Sequence, residues 1–191
     1  MSKSNGEFLW PQELQAGGIS IYKGIWADPE STIKELEESS EIEYFMSLDD
    51  SSKDSKKIEN ILDRYKKVIQ ITLFGYNVRF SVDEPFEINE ESFVLKLNDG
   101  EERQLSYGGG TSTGRSMCAI LYLNDDYEGG EIEFINFDLK LKPEKGTLFL
   151  FPSNFLYSYK ENEVKNGTKY SINTFIHDRP LDDLSKKVLE L

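Results

Sequence analysis

Residues 117–179 decide the fold of this chain: MCAILYLNDDYEGGEIEFINFDLKLKPEKGTLFLFPSNFLYSYKENEVKNGTKYSINTFIHDR. Apolar residues in this stretch recur in short runs with a period of two, and turns rich in Gly, Pro and Asn separate the runs. Short strands at this spacing, with no helix between them, predict an antiparallel sandwich or jelly roll. The predicted strands are 117–123, 131–135, 139–141, 147–151 and 169–177.

Upstream of this stretch the apolar residues follow a helical period. Asp28 and Pro29 predict a helix start, because aspartate caps free amide groups and proline suits the first helical position. This helix is expected to reach about Glu38, and strands are predicted at 18–25 and 93–97. A longer helix follows from an apolar stripe with a charged back, which indicates packing on a core. The stripe consists of Ile58, Ile61, Leu62, Tyr65, Val68, Ile69, Leu73 and Tyr76.

The length of the chain, 191 residues, suits one domain with a sizeable core. We predict a flexible segment at residues 1–16 and a single domain over 17–191. Within that domain, helical support is expected at about 28–78 and a β core at about 93–178.

Charge and apolar content narrow the classes of partner. The chain carries 35 acidic and 22 basic residues, so its formal net charge is −13. That balance disfavours nucleic acid and anionic membrane, which need clustered basic groups, and favours a protein partner or assembly. The longest apolar run, 117–123, is too short to span a bilayer, and the N-terminus lacks a signal-peptide core. A cytoplasmic location, or one in a particle assembled there, is the expectation.

Three pieces of the C-terminal half carry a family resemblance: AILYLNDDYEGGEIEF (119–134), LKLKPEKGTLFLFPS (139–153) and NGTKYSINTF (166–175). In the order, spacing and identity of its residues, this region resembles the core of the 2-oxoglutarate and Fe(II)-dependent oxygenases, in their prolyl 4-hydroxylase-like branch. The resemblance implies a mainly β protein with N-terminal α-helices, folded as a double-stranded β-helix (a jelly roll) flanked by supporting helices. Small members of this family are frequent in tailed phages, so a phage protein is one expectation.

The chemistry of that family needs two histidines and a carboxylate around Fe(II), with 2-oxoglutarate and oxygen taking the open positions. At the position of the second histidine this chain has Tyr159. The His-x-Asp pair falls on Ser106 and Gly108 in one register, or on Leu105 and Tyr107 in the other. The chain has one histidine in total, so it cannot supply two. We therefore predict no metal site and no catalytic residue.

The residues that would hold the cosubstrate are partly retained. The resemblance implies that Lys169 grips the far carboxylate of 2-oxoglutarate, with Ser171 as its inward neighbour and Tyr159 and Tyr122 lining the same pocket. Spacing alone leaves open that Lys169 is a solvated residue after an Asn-Gly turn. His177 has the same strand parity but lies eight residues further on, about 26 Å at the rise of a strand.

Two other features have structural interpretations. The acidic residues between 125 and 133 resemble a hairpin more than a calcium loop. Cys118 lies in an apolar strand and is expected to be a buried, inert thiol.

The leading hypothesis is a non-catalytic oxygenase-like module with no cofactor, acting as a binding or structural protein such as a phage particle component or accessory factor. The alternative is a prolyl 4-hydroxylase-like dioxygenase that uses 2-oxoglutarate and Fe(II) at a non-standard metal site.

Overall fold

The computed structural model describes residues 13–15, 17–39, 45–47, 56–82, 92–108 and 114–177. The two α-helices are α1 (Pro29–Ser39) and α2 (Lys56–Phe80), and short 3-10 helices span Ile135–Phe137 and Phe155–Tyr157. The strands are β1 (Glu13–Gln15), β2 (Ile19–Tyr22), β3 (Phe45–Ser47), β4 (Phe93–Leu97), β5 (Arg103–Ser106), β6 (Arg115–Tyr122), β7 (Glu128–Gly129), β8 (Ile132–Phe134), β9 (Leu139–Leu141), β10 (Thr147–Pro152), β11 (Tyr159–Glu161), β12 (Val164–Lys165) and β13 (Lys169–His177).

Two antiparallel sheets face each other, as the jelly-roll prediction requires. The larger sheet has the order β1-β2-β10-β6-β13-β4-β3, and the smaller has the order β5-β11-β8-β9. A two-stranded ribbon of β12 and β7 lies beside them. Side chains from both sheets share one buried cluster, which includes Ile120 and Phe149 of the larger sheet and Phe134 of the smaller. We call the space between the sheets the barrel interior.

Strand β6 shows why residues 117–123 form a continuous apolar run rather than an alternating one. Met117, Ala119 and Leu121 pack on the helix side of the larger sheet. Cys118 and its alternate neighbours point into the barrel interior. A strand buried on both faces needs apolar residues at every position.

The helices cover the outer face of the larger sheet. The predicted stripe of α2 is buried or half-buried against that face. Helix α1 starts where Asp28 predicted it, with the Asp28 carboxylate accepting a hydrogen bond from the Ser31 amide at 3.3 Å. Leu36 is fully buried. In the described part of the chain, neither helix has the length and apolar content needed to cross a membrane.

Several short strands differ from the sequence-based expectation. Residues 13–15 form β1, which pairs with β2, so the flexible segment predicted for 1–16 is ordered near its end. The physical reason is that β2 offers an edge to backbone groups, which can pair regardless of side-chain pattern. Strands β3, β5, β7, β11 and β12 were also unpredicted, because none of them has the apolar–polar–apolar alternation that marks the equally short β8 (IEF) and β9 (LKL). Residues 1–12, most of the predicted polar linker at 47–55, and 178–191 lie outside the described residues.

The hydroxyl of Tyr65 ties α2 to the centre of the larger sheet. It lies 3.1 Å from the carbonyl oxygen of Ala119 and 3.0 Å from that of Ile172, and donates to this pair. Tyr65 is fully buried, so water cannot replace the bond if it is lost. The bond therefore joins the helix to strands β6 and β13 at once.

We expect Tyr65→Phe to lower the free energy of unfolding by about 1–2 kcal/mol, because two buried carbonyl groups lose their shared donor. Tyr122→Phe is the matched control: Tyr122 is equally buried, but its hydroxyl has no hydrogen-bond partner. Its removal is expected to leave stability within about 0.5 kcal/mol of wild type, or to raise it. Urea denaturation followed by circular dichroism measures both, and equal losses would contradict the assignment.

Candidate functional site

Aromatic rings fill the middle of the barrel interior. Phe134 and Phe151 meet edge to face with ring centroids 4.9 Å apart, and Phe151 meets Tyr159 in the same way at 5.2 Å. Phe134 and Tyr159 complete the triangle at 6.1 Å. All three rings are fully buried. Such pairs are favourable beyond the area they bury, so this part of the interior is a packed core.

Tyr159, at the position where the resemblance requires a histidine, belongs to that core. Its hydroxyl lies 3.9 Å from the Cys118 sulfur, and the Arg103 guanidinium sits 5.2 Å above its ring. Desolvation raises the pKa of the Tyr159 phenol well above its usual value, so the group is neutral. A neutral phenol is a much weaker ligand for a divalent cation than an imidazole or a carboxylate.

The structure distinguishes between the two registers considered for the His-x-Asp pair. Ser106 pairs directly with Tyr159 across β5 and β11, and its hydroxyl accepts a hydrogen bond from the Gly108 amide at 3.1 Å. Leu105 and Tyr107, the alternative pair, are exposed. Ser106 therefore lies next to Tyr159, and Gly108 is hydrogen-bonded to Ser106, whereas Leu105 and Tyr107 are exposed.

These three residues do not fit Fe(II). They offer a buried neutral phenol, one hydroxyl and no side chain at all, whereas the iron site of the family requires two imidazoles and a carboxylate. A Cβ atom added to Gly108 would meet the Phe175 ring at 2.4 Å. The Arg115 guanidinium stacks on that ring at 4.0 Å, which adds positive charge. Among the residues that the structure describes, no group of three or more His, Cys, Asp or Glu side chains could hold a metal ion.

Lys169 points into the barrel interior and is almost fully buried, with 1% of its surface exposed. Its Nζ lies 2.5 Å from Oε2 of Glu161 and donates to the carbonyl oxygen of Gly130 at 2.6 Å. The ring of Tyr122 lies 4.7 Å from the ammonium and that of Tyr127 lies 5.9 Å from it. The interpretation of Lys169 as a solvated surface residue is therefore wrong.

Glu161 joins Lys169 to a longer polar network. Its carboxylate also lies 3.5 Å from Nη1 of Arg103, which donates to Oδ1 of Asn173 at 3.1 Å. The Asn173 amide in turn donates to the hydroxyl of Ser171 at 2.9 Å. The network therefore crosses the interior from the smaller sheet to the larger and includes Ser171, one of the predicted pocket residues.

The two partners of the buried ion pair have different electrostatic surroundings. Desolvation opposes ionisation of Glu161, but attraction to Lys169 and Arg103 outweighs it and lowers the pKa of the carboxyl group. Desolvation also lowers the pKa of Lys169, and attraction to Glu161 offsets this only in part because Arg103 repels the ammonium. Two cations attract the carboxylate, whereas the ammonium is attracted by Glu161 and Glu131 and repelled by Arg103.

These contacts bear on whether 2-oxoglutarate can bind in the barrel interior. Lys169, the group that would grip its far carboxylate, is already bound to a carboxylate of the chain. Tyr122 and Tyr159 lie within the aromatic packing of the interior, and the hydroxyl of Ser171 accepts a hydrogen bond from the Asn173 amide. The residues present therefore do not fit the cosubstrate. Sequence reasoning missed Glu161 and Arg103, although the two-residue spacing of Glu161 from Tyr159 would have placed it inward had β11 been recognised.

The remaining candidate residues lie elsewhere. Tyr170, next to Lys169 on β13, is on the helix side of the sheet and hydrogen-bonds Glu37. His177 is buried at the far end of β13 from Lys169, beside Gly114. Carboxylates of the acidic hairpin pair with surface lysines, as in the contacts of Glu131 with Lys140 at 3.6 Å and of Glu133 with Lys160 at 3.4 Å. These contacts agree with the structural interpretation of that hairpin.

Known proteins share both sequence and fold with parts of this chain. Residues 98–177 match the family model of the 2OG-Fe(II) oxygenase superfamily. The viral collagen prolyl hydroxylase from Paramecium Bursaria Chlorella virus-1, in its 2OG complex, superposes with a TM-score of 0.64 over 83% of this chain and 94% of that one, at 21% identity. A Pseudomonas putida prolyl-4-hydroxylase gives 0.60 over 85% and 94%, at 14% identity.

Two curated relatives match by sequence. A PKHD-type hydroxylase from Prochlorococcus marinus (strain MIT 9515) is 41% identical over 63 residues, which are 30% of this chain and 28% of that protein. The human procollagen-lysine,2-oxoglutarate 5-dioxygenase 2 is 29% identical over 86 residues, which are 44% of this chain but only 12% of that protein. The resemblance to the 2-oxoglutarate/Fe(II) oxygenases, with a prolyl 4-hydroxylase-like jelly roll, is confirmed.

We expect Gly108→Ala to lower stability by about 2–4 kcal/mol, because it adds a methyl group against the Phe175 ring and places alanine at a left-handed φ. Gly100→Ala is the matched control, since Gly100 also has a positive φ (+83°, against +69° at Gly108) but has nothing within 4 Å of an added Cβ. Thermal unfolding of both variants separates the steric effect from the backbone effect. Equal losses of stability in the two variants would mean that the Phe175 ring moves aside at no energetic cost.

We expect Cys118 to resist thiol reagents in the native protein. Burial raises the pKa of its thiol to about 12, so the reactive thiolate is scarce at pH 8 and the sulfur is inaccessible. The chain has one cysteine, so labelling with a chromogenic disulfide reagent reports this site alone. Labelling should be complete in urea. Fast labelling in buffer would show that the barrel interior opens readily.

Proposed function

We propose that this chain is a non-catalytic oxygenase-like module that acts as a binding or structural protein. The observation that carries the proposal is the packing of Tyr159, which fills the position of an iron ligand with a neutral ring inside an aromatic core. Ser106 and Gly108, at the other two ligand positions, supply neither an imidazole nor a carboxylate. A jelly roll whose interior is filled in this way can still bind partners through its surface. The fold alone does not determine activity.

The exposed apolar side chains and the charge of the chain favour a protein as the partner that binds this surface. Ile135, Phe155 and Leu156 are exposed side by side on the two 3-10 helices, which Asn136 holds together by donating to the carbonyl oxygens of Phe155 and Leu156 at 3.0 and 3.1 Å. Clustered exposed apolar side chains are typical of protein-binding surfaces. The net charge of −13 makes a nucleic-acid partner unfavourable.

Metal binding and turnover test this proposal against the dioxygenase alternative. In calorimetry with Mn²⁺ as a stand-in for Fe(II), we expect no stoichiometric binding, with or without 2-oxoglutarate. With Fe(II), ascorbate and 2-oxoglutarate, we expect no succinate above the metal-free blank. Metal-dependent succinate formation by wild type would overturn the proposal, and its loss in Lys169→Met would then show that Lys169 holds the cosubstrate during turnover.

A further inference from the structure

Lys169, Arg103 and Glu161 form a buried cluster of charges in the barrel interior. Lys169 and Arg103 approach one point from two sheets, and the Glu161 carboxylate lies at that point, 2.5 Å from Nζ of Lys169 and 3.5 Å from Nη1 of Arg103. Glu161 is fully buried. A carboxylate in such a place remains charged only because the two cations compensate for its lost hydration.

The surroundings of this point suit a carboxylate from any source. Tyr122 and Tyr127 place their rings around the Lys169 ammonium, and the hydroxyl groups of both are buried without a hydrogen-bond partner. Buried hydroxyl groups are normally satisfied, so each of these two rings carries an unused hydrogen-bond donor. Gly130 contributes its carbonyl oxygen to Lys169, which fixes the direction of the ammonium.

We propose that Glu161 is an intramolecular ligand, whose carboxylate occupies a carboxylate-binding site formed by Lys169 and Arg103 and so closes the barrel interior to free carboxylates. Beyond Cβ, the Glu161 side chain is a CH2–COO− group, which has the size and charge of acetate. Shortening this side chain to alanine therefore leaves a site of matching shape for acetate. The inference extends the proposed function. It rests on one part of that function, namely that 2-oxoglutarate does not bind in the wild-type interior.

The test is chemical rescue of Glu161→Ala by acetate. Without a carboxylate, the variant buries two cations with no anion, so we expect a marked loss of thermal stability. Sodium acetate at about ten times its Kd should raise the melting temperature of this variant by about 3–5 °C relative to sodium chloride of equal ionic strength. Wild type should show no acetate-specific shift, because Glu161 holds the site.

Two matched variants make the rescue specific. Glu133→Ala removes a carboxylate of the neighbouring strand β8 that pairs with Lys160 at the surface, and it should not respond to acetate. Glu161→Ala combined with Lys169→Met should also not respond, because the ammonium that binds the ligand is gone. 2-Oxoglutarate, which is longer than the deleted group, should stabilise Glu161→Ala less than acetate does.

Each outcome decides the inference. An acetate-specific shift confined to Glu161→Ala supports it, and an equal shift in chloride, in the double variant or in wild type overturns it. If Glu161→Ala does not fold alone, the yield of refolding from urea in acetate against chloride gives the same readout, and equal yields count against the inference. Succinate formation by wild type would instead overturn the proposed function, so the two failures are distinguishable.

Discussion

A charge that leaves water for the inside of a protein has to be compensated, and the ammonium of Lys169 is under that constraint. Lys169 lies on β13, and the smaller sheet that faces it in the described part of the chain carries Glu161. The carbonyl of Gly130 accepts a hydrogen bond from the ammonium, and the guanidinium of Arg103 compensates the Glu161 carboxylate rather than Lys169. The ion pair therefore holds the two sheets in register across the barrel interior, where aromatic packing alone would tolerate sliding.

The large sheet separates two environments that share the same strands. On the helix side, α2 packs along it and Tyr65 anchors the helix to β6 and β13. On the barrel side, alternate residues of the same strands meet the small sheet. This division explains why β6 and β13 are buried at nearly every position.

The sequence was most informative where periodicity was long. Helix α2 and strands β6, β10 and β13 could be predicted because their apolar patterns extend over at least six residues, and the family resemblance lies on the same segments. The inward direction of Lys169 could not be decided from spacing, since a lysine after an Asn-Gly turn is usually solvated. Glu161 was missed because β11 (YKE) lacks the apolar alternation of the equally short β8 and β9, and because its partner is fixed by the facing sheet rather than by local pattern. The choice of Ser106 and Gly108 over Leu105 and Tyr107 likewise needed the strand pairing of β5.

The close approach of the Phe175 ring to Gly108 limits which substitutions this part of the interior can accept. A carboxylate side chain at this position requires the Phe175 ring to be gone first, and a histidine at position 159 would lose the ring contacts that now fill the core. No single substitution on the way to a metal centre is therefore an improvement by itself. Because aromatic rings already fill this space, substitutions at the surface disturb the packing far less than substitutions that would place metal ligands in the interior.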